Sequence, residues 1–258
     1  MTTFPDLTDD ELLRYSRHIL LPQIDVLGQQ RIRNATVLVV GAGGLGSPIL
    51  LYLAAAGVGE LRIADGDRVD ETNLQRQIVH STASVGTAKT ESAAATLQRL
   101  NPHCRLVEID QPLDATGLEH WAEGCDLVVI GTDSFASRYD ANAVCLRLGI
   151  PLVCGAAIGL NGQATSFDFR RDDSPCFACL YPDGEDTELS CSTAGVLGPL
   201  VGMVGTVQAT EALKLLAGFG EPLVGQLLTV DATDLSWNRF RFARRPDCPV
   251  CASRPRTA

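Results

Sequence analysis

The chain has 258 residues, 45% of them hydrophobic and 20% charged, a balance typical of a folded globular protein rather than a disordered one. Its 21 basic and 31 acidic side chains give a net charge of -10, which disfavours nucleic acid and anionic membranes as partners. The first ten residues hold neither a basic leader nor an apolar core, and the apolar runs elsewhere are interrupted by charges or glycines. We therefore expect a cytoplasmic protein with no nucleic-acid and no membrane partner.

The first predicted element is a helix over residues 9–21, where Leu12, Tyr15 and Ile19 can share one apolar side. A polar stretch follows and ends at Asn34. We interpret residues 1–34 as an N-terminal helical arm.

A strand, a glycine turn, a helix and a second strand come next. Residues 37–40 predict a short buried strand, residues 47–56 a helix, and residues 61–64 a strand that ends at Asp65. Such a unit is expected to be parallel and right-handed, as in a Rossmann-like sheet. The turn between the first strand and the helix holds four glycines: Gly41, Gly43, Gly44 and Gly46.

The alternation of strands and helices continues through the chain. Further helices are predicted over residues 89–100, 138–148 and 196–216, and further strands over residues 106–109, 127–130, 151–154, 162–169 and 225–231. The fold class is therefore α/β, with a Rossmann-like, mostly parallel sheet and an antiparallel extension. We expect one domain, whose nucleotide-binding half spans residues 35–158 and whose second half spans residues 159–258.

The glycine turn favours a bound phosphate. Glycines allow a sharp turn and a close approach, and the following helix offers unpaired N–H groups to an anion. Asp65, at the end of the second strand, is placed to hold ribose hydroxyls. This pattern suits an NAD-dependent dehydrogenase equally well, so the turn alone leaves the nucleotide open.

The segment Asn73-Leu-Gln-Arg-Gln77 and Lys89 supply cations that a triphosphate needs and a dinucleotide does not. The alternative is that Arg76 and Lys89 are solvated surface charges. Asp133 ends a predicted strand, where it could hold magnesium or instead cap the next helix.

Two Cys-x-x-Cys pairs supply four thiolates, the ligand set of a tetrahedral zinc site. Four sulfur ligands leave no open position for water, so the zinc is expected to be structural and to hold the C-terminal segment against the body of the protein. Two separate redox pairs are the alternative. The predicted ligands are Cys176, Cys179, Cys248 and Cys251.

The order and spacing of these motifs resemble the ThiF/MoeB/HesA family, the bacterial relatives of ubiquitin-activating enzymes, over almost the whole chain. The elements that carry the resemblance are Arg14-Tyr-Ser-Arg17, the glycine turn with Ser47, Asp65-Gly-Asp67, Asn73-Leu-Gln-Arg-Gln77, Lys89, Gly131-Thr-Asp133, Gly155-Ala-Ala157 and both cysteine pairs. The resemblance implies ATP-dependent adenylation of the C-terminal glycine carboxylate of a ubiquitin-like sulfur-carrier protein. Residues 159–258 would then be the carrier-binding and zinc half.

On matching positions, the resemblance implies that the glycine turn meets the phosphates and Asp65 the ribose. Asn73, Gln75, Arg76 and Lys89 would meet the polyphosphate, with Asp133 on the magnesium side. Arg17 would reach into the partner's site of a homodimer; otherwise it lies on a solvated helix face. The family often has Asn where this chain has Ser134, which puts contacts of that amide in doubt.

Cys191 matches a loop cysteine of the family that can link covalently to carrier-derived sulfur or acyl groups; its alternative is a dispensable thiol. The carrier is either ThiS-like, for the thiazole of thiamine, or MoaD-like, for molybdopterin, and local details around Tyr15 and residues 180–183 favour the ThiS-like one. Because only seven residues follow Cys251, we expect a separate sulfur donor, a desulfurase or sulfurtransferase. An NAD-dependent oxidoreductase and a non-catalytic module that binds ubiquitin-like proteins are the competing functions.

Overall fold

The computed structural model describes residues 5–132, 134–184 and 195–254. Within them, eight strands form one sheet in the order β3-β2-β1-β4-β5-β6-β7-β8. β1 to β5 are parallel, while β6, β7 and β8 continue the sheet antiparallel. This confirms the predicted α/β class. The strands are β1 Thr36–Val40, β2 Glu60–Ala64, β3 Arg105–Ile109, β4 Leu127–Ile130, β5 Leu152–Ile158, β6 Asn161–Phe167, β7 Gln226–Asp231 and β8 Ser236–Arg241.

The helices cover both faces of the sheet. Alternate residues of β1 explain why, because Val37 and Val39 face one core while Leu38 and Val40 face the other. The helices are α1 Asp9–Arg14, α2 Ser16–Ile19, α3 Asp25–Asn34, α4 Gly46–Ala56, α5 Lys89–Leu100, α6 Ala115–Ala122, α7 Phe135–Leu148, α8 Phe177–Leu180 and α9 Gly198–Ala217.

The N-terminal arm differs from its prediction. The helix expected over residues 9–21 is two short helices that meet at Tyr15, whose ring is buried and whose hydroxyl accepts a hydrogen bond from Asn101 Nδ2 (2.9 Å). The stretch interpreted as polar contains α3. Its Gln29 is fully buried and donates to the carbonyl of Ala56 at the end of α4 (2.8 Å), so a polar residue occupies a core position there.

Helix α9 is the one described helix that is long and apolar enough to cross a membrane by length and composition. More than half of it is buried inside the protein, where it packs against α4, β5 and β6. Its apolar character is explained by its place in the core.

Candidate nucleotide site and cysteine cluster

A cavity of about 680 Å³ lies at the carboxyl ends of β1, β2, β4 and β5, a volume within the roughly 300–1,000 Å³ of small-molecule sites. The chain runs outward from β1 through β2 to β3 and then returns to β4 on the other side of β1. Ligands of open parallel sheets collect at such a reversal of strand order. The fold therefore places the cavity where the sequence predicted a nucleotide.

The glycine turn forms one wall of this cavity, which Gly41, Gly43 and Gly44 line. Gly41 has a φ of +97°, which disfavours other residues, and a Cβ on Gly46 would lie 1.9 Å from the carbonyl oxygen of Gly41. Gly46 starts α4, so the turn leads into the N-terminus of a helix. That end of a helix attracts anions.

The carboxylate of Asp65 ties the turn to the end of β2. Its Oδ2 accepts a hydrogen bond from the backbone N–H of Ala42 (2.8 Å), and its Oδ1 accepts one from Asp67 (2.9 Å). A carboxylate has about four lone-pair positions, so two remain for other donors such as ribose hydroxyls.

Residues 68–88 form one excursion between β2 and α5, closed at its base by antiparallel pairing of Arg68 with Ala88. The excursion brings Asn73 and Arg76 to the cavity. Arg76 Nη2 donates to Asn73 Oδ1 (2.7 Å), which orients the guanidinium and leaves its other N–H donors for a ligand.

Lys89, the first residue of α5, also lines the cavity and is 6% exposed at its side chain. Its Nζ donates to Asp67 Oδ2 (2.7 Å) and lies 4.0 Å from Asp65 Oδ1. The ammonium group is therefore buried and positioned, unlike the solvated charge of the alternative interpretation.

The predicted residues do not all reach the cavity. Gln75 is exposed and does not line it, whereas Gln77 lies in its wall and is 5% exposed. Arg17 is exposed and does not line the cavity of its own chain. Asp133 and Cys191 lie outside the described residues. Capping of α7, the alternative role of Asp133, is performed by Ser134, whose side chain accepts from the N–H of Ser137.

One residue in the cavity wall was not predicted as a site residue. Arg138 is 4% exposed, and its Nη2 donates to the carbonyls of Thr132 (2.9 Å) and Gly155 (3.3 Å). Its guanidinium lies 5.4 Å from the ring centre of Phe135. No carboxylate among the described residues pairs with it. The only sequence signal for Arg138 is its position, one turn into the helix that follows Gly131-Thr-Asp133.

A second cavity, of about 450 Å³, adjoins the first. The two share Ala156, Ala157, Ile158 and Gln163 at the end of β5 and on β6. The second continues across the antiparallel strands to Asp231 and Asn238. The second cavity thus extends the nucleotide cavity over the antiparallel strands, with both polar and apolar residues in its lining.

The four predicted zinc ligands form one buried cluster, in which all sulfur atoms lie within 4.8 Å of one another. Three separations are 3.4, 3.6 and 3.8 Å. A tetrahedron with zinc–sulfur bonds of about 2.3 Å has edges of about 3.8 Å, so the spacing fits one metal ion. The thiol–thiolate hydrogen bond between Cys176 and Cys179 raises the pKa of Cys176 and lowers that of Cys179.

The second cysteine pair is held by the buried side chain of Arg244, which donates to the carbonyls of Asp172, Cys251 and Arg254. The backbone N–H of Arg245 donates to the sulfur of Cys179 (3.4 Å). Cys176 opens the single turn of α8, but β6 ended at Phe167, so the pair does not follow a strand directly as a redox pair of the thioredoxin type would.

Known proteins resemble this chain in sequence and in fold. A SAMP-activating enzyme E1 of Haloferax volcanii is 47% identical over 97% of this chain and 92% of its own length. A molybdopterin-synthase adenylyltransferase of Escherichia coli is 43% identical over 95% and 98%. A crystal structure of Escherichia coli MccB with MccA-N7isoASN superimposes with a TM-score of 0.83 at 25% identity, covering 92% of this chain and 74% of that one. Residues 15–250 match the ThiF family, and the chain belongs to that family.

Proposed function

We propose that this protein transfers AMP from ATP to the C-terminal carboxylate of a ubiquitin-like sulfur carrier. The proposal rests on the buried Lys89, which lines the same glycine-rich cavity as Arg76 where the strand order of the sheet reverses. Relatives at 43–47% identity are named as an adenylyltransferase and an activating enzyme. NAD-dependent hydride transfer gives no reason to bury a cation at this position.

In the proposed reaction, a carboxylate oxygen of the carrier attacks the α-phosphorus of ATP. A new oxygen–phosphorus bond forms while the bond to the β-phosphate breaks, and pyrophosphate leaves with its electron pair. Gly43 and Gly44 would meet the phosphates, and Lys89 and Arg76 would stabilise the charge that develops on them. Asp65 would hold the ribose. Asp133 is the proposed ligand of ATP-bound magnesium, an ion that would neutralise phosphate charge.

The carrier's tail would reach the nucleotide through the second cavity, which lies over β6, β7 and β8. An extended Gly-Gly tail is narrow enough to follow it, and the polar side chains of Asn161, Gln163 and Asn238 can bond its backbone. Two relatives at 43% identity are named as molybdopterin-synthase adenylyltransferases, which favours a MoaD-like carrier. A ThiS-like carrier, favoured by local sequence details, remains the second candidate.

The proposed partners are a second copy of this chain and a sulfur donor. Arg17, exposed on the arm, would enter the site of the second copy in a homodimer. Sulfur would come from a separate protein, a desulfurase or sulfurtransferase. Four described cysteines outside the cluster are buried and make poor nucleophiles for relaying it. Burial raises the pKa of Cys125 to about 11 and the pKa values of Cys104 and Cys154 to about 12, and it also raises that of Cys145. Cys191 stays a candidate for a covalent link.

We also propose that the cysteine cluster holds one zinc ion with a structural role, since its spacing fits and all four ligand positions are filled by sulfur. The protein is proposed to work in the cytoplasm, whose reducing conditions suit such thiolates. One domain is proposed, with the arm, nucleotide and carrier-binding parts divided near residues 34 and 158.

The test is ATP–pyrophosphate exchange with purified MoaD-like and ThiS-like carriers, each assayed separately. Exchange with a carrier is expected for the wild type, and Lys89→Gln should lower its rate about 100-fold or more because a preorganised charge is lost. Arg99→Gln, at an exposed position of the same helix, should retain full exchange. A folded wild type that exchanges with neither carrier would overturn the proposed substrate.

A further inference from the structure

His80 is a buried histidine that the proposed reaction does not use. Both of its ring nitrogens have partners: Nε2 lies 2.9 Å from the carbonyl oxygen of Ala42, and Nδ1 lies 2.9 Å from Ser92 Oγ. The side chain belongs to the excursion of residues 68–88 and contacts the glycine turn at Ala42, but it does not line the cavity.

The two contacts define how the ring carries its proton. A carbonyl oxygen can only accept, so Nε2 must be the donor to Ala42. Burial and the nearby charge of Lys89 lower the pKa of His80, although the bond to Ala42 acts in the opposite direction. The other ring nitrogen, Nδ1, lies against the hydroxyl of Ser92 (2.9 Å). Ser92 Oγ donates to Ser84 Oγ (2.8 Å), so the hydroxyl itself is held in place.

Ala42 is consequently held from two sides. Its N–H donates to Asp65 Oδ2 (2.8 Å), and its carbonyl accepts from His80 Nε2 (2.9 Å). Because a trans peptide is planar, its carbonyl and the next N–H point in opposite directions. When His80 holds the carbonyl of Ala42, the N–H of Gly43 must point away from the imidazole, and Gly43 lines the cavity.

We propose that His80 is a positioning residue for ATP: it fixes the peptide between Ala42 and Gly43 so that the Gly43 N–H is preset to bind the phosphate chain. Asp65 and His80 act together, one on each side of Ala42. This inference rests on the proposed use of ATP and adds a residue that never touches the nucleotide.

The test compares ATP with adenosine, which lacks the phosphates, by calorimetric titration of the full-length protein. His80→Leu leaves the carbonyl of Ala42 without its donor, so it should weaken ATP binding about tenfold and adenosine binding by less than about twofold. His80→Gln keeps an N–H donor at the same reach and should restore most of the ATP affinity. His103→Leu, at an exposed histidine, should leave both affinities unchanged.

Equal weakening of ATP and adenosine by His80→Leu would show general damage and overturn the proposal, and so would unchanged ATP binding. If His80→Leu fails to fold, nitrogen-15 NMR of the wild-type imidazole decides, because the proposal requires a protonated Nε2 at neutral pH. An unprotonated Nε2 would overturn it. Wild-type protein that binds ATP but shows no carrier-dependent exchange would overturn the proposed function alone.

Discussion

Arg138 is a buried charge that supports the cavity by holding the backbone of neighbouring residues in place. Its guanidinium holds the carbonyls of Thr132 and Gly155, which follow β4 and lie within β5, so it joins the ends of two neighbouring strands under the nucleotide site. Its Nε has no partner among the described residues. Arginine suits this task because the two N–H groups of Nη2 are held at fixed angles in the guanidinium plane, whereas the donors of a lysine ammonium rotate freely.

We expect Arg138→Lys to lower the free energy of unfolding by about 2–3 kcal/mol, since hydrogen bonds from a charged donor are lost at a buried position. The same change should slow carrier-dependent exchange, because Thr132 lies in the cavity wall. Urea unfolding and the exchange assay measure the two effects.

Arg147→Gln is the matched control on the same helix. Arg147 is exposed and pairs with Glu119, so its loss should cost less than about 1 kcal/mol. If Arg138→Lys were as mild as Arg147→Gln, the buried guanidinium would not be what joins the strand ends.

At the scale of elements, a helix or strand could be predicted where its local residue pattern reflects which of its side chains are buried and which are exposed. Helix α5 and strand β4 have the predicted bounds, because apolar periodicity and flanking breakers marked them. Strand β8 was missed because an edge strand with exposed Trp237 and Phe240 has no clear alternation. Helix α6 was missed as well, although Asp114 caps it. The site followed the same rule: the glycine turn is a local motif, whereas the burial of Arg138 and His80 depends on distant packing.

The N-terminal arm docks through Glu11, which is 2% exposed. Burial opposes its ionisation, but hydrogen bonds from Thr8 and the Arg33 guanidinium outweigh burial and hold the pKa of Glu11 below its ordinary value of 4.5. A carboxyl with a lowered folded pKa stabilises the fold above its unfolded pKa and loses this effect as the pH falls through the folded pKa.

Glu11→Gln should therefore lower the free energy of unfolding by about 1–2 kcal/mol at pH 7. The difference from the wild type should shrink as the pH falls below 4.5, the ordinary value. Urea unfolding at a series of pH values checks this, with the exposed Glu91→Gln as control. A difference that stays constant down to pH 3 would contradict the ionised state of Glu11.

The cysteine cluster joins α8 to the segment after β8, two parts that are far apart in sequence. Cys248→Ser should reduce bound zinc from about one ion per chain to a small fraction and lower the thermal midpoint by roughly 5–10 °C. Metal analysis and calorimetry measure these changes. Cys145→Ala, at a buried cysteine outside the cluster, should keep its zinc. Wild-type protein that is stable without any metal would contradict the zinc assignment.

At the scale of the whole molecule, one chain holds the nucleotide cavity but does not bring Arg17 into it. If Arg17 acts across a homodimer, each site uses Lys89 of one chain and Arg17 of the other. Two inactive variants, Arg17→Ala and Lys89→Ala, should then restore one intact site when they pair. After subunit exchange of an equal mixture, about a quarter of the sites should be intact by random pairing of two-fold dimers.

The measurement is carrier-dependent exchange before and after the subunits mix. Arg76 and Lys89 line the cavity of the same chain, so an Arg76→Ala and Lys89→Ala mixture leaves every site with one defect and should recover no activity. This second mixture separates complementation between chains from any stabilising effect of mixing. If both mixtures stay inactive although light scattering shows dimers, Arg17 does not cross the interface, and its exposed position on the arm would be a solvated helix face.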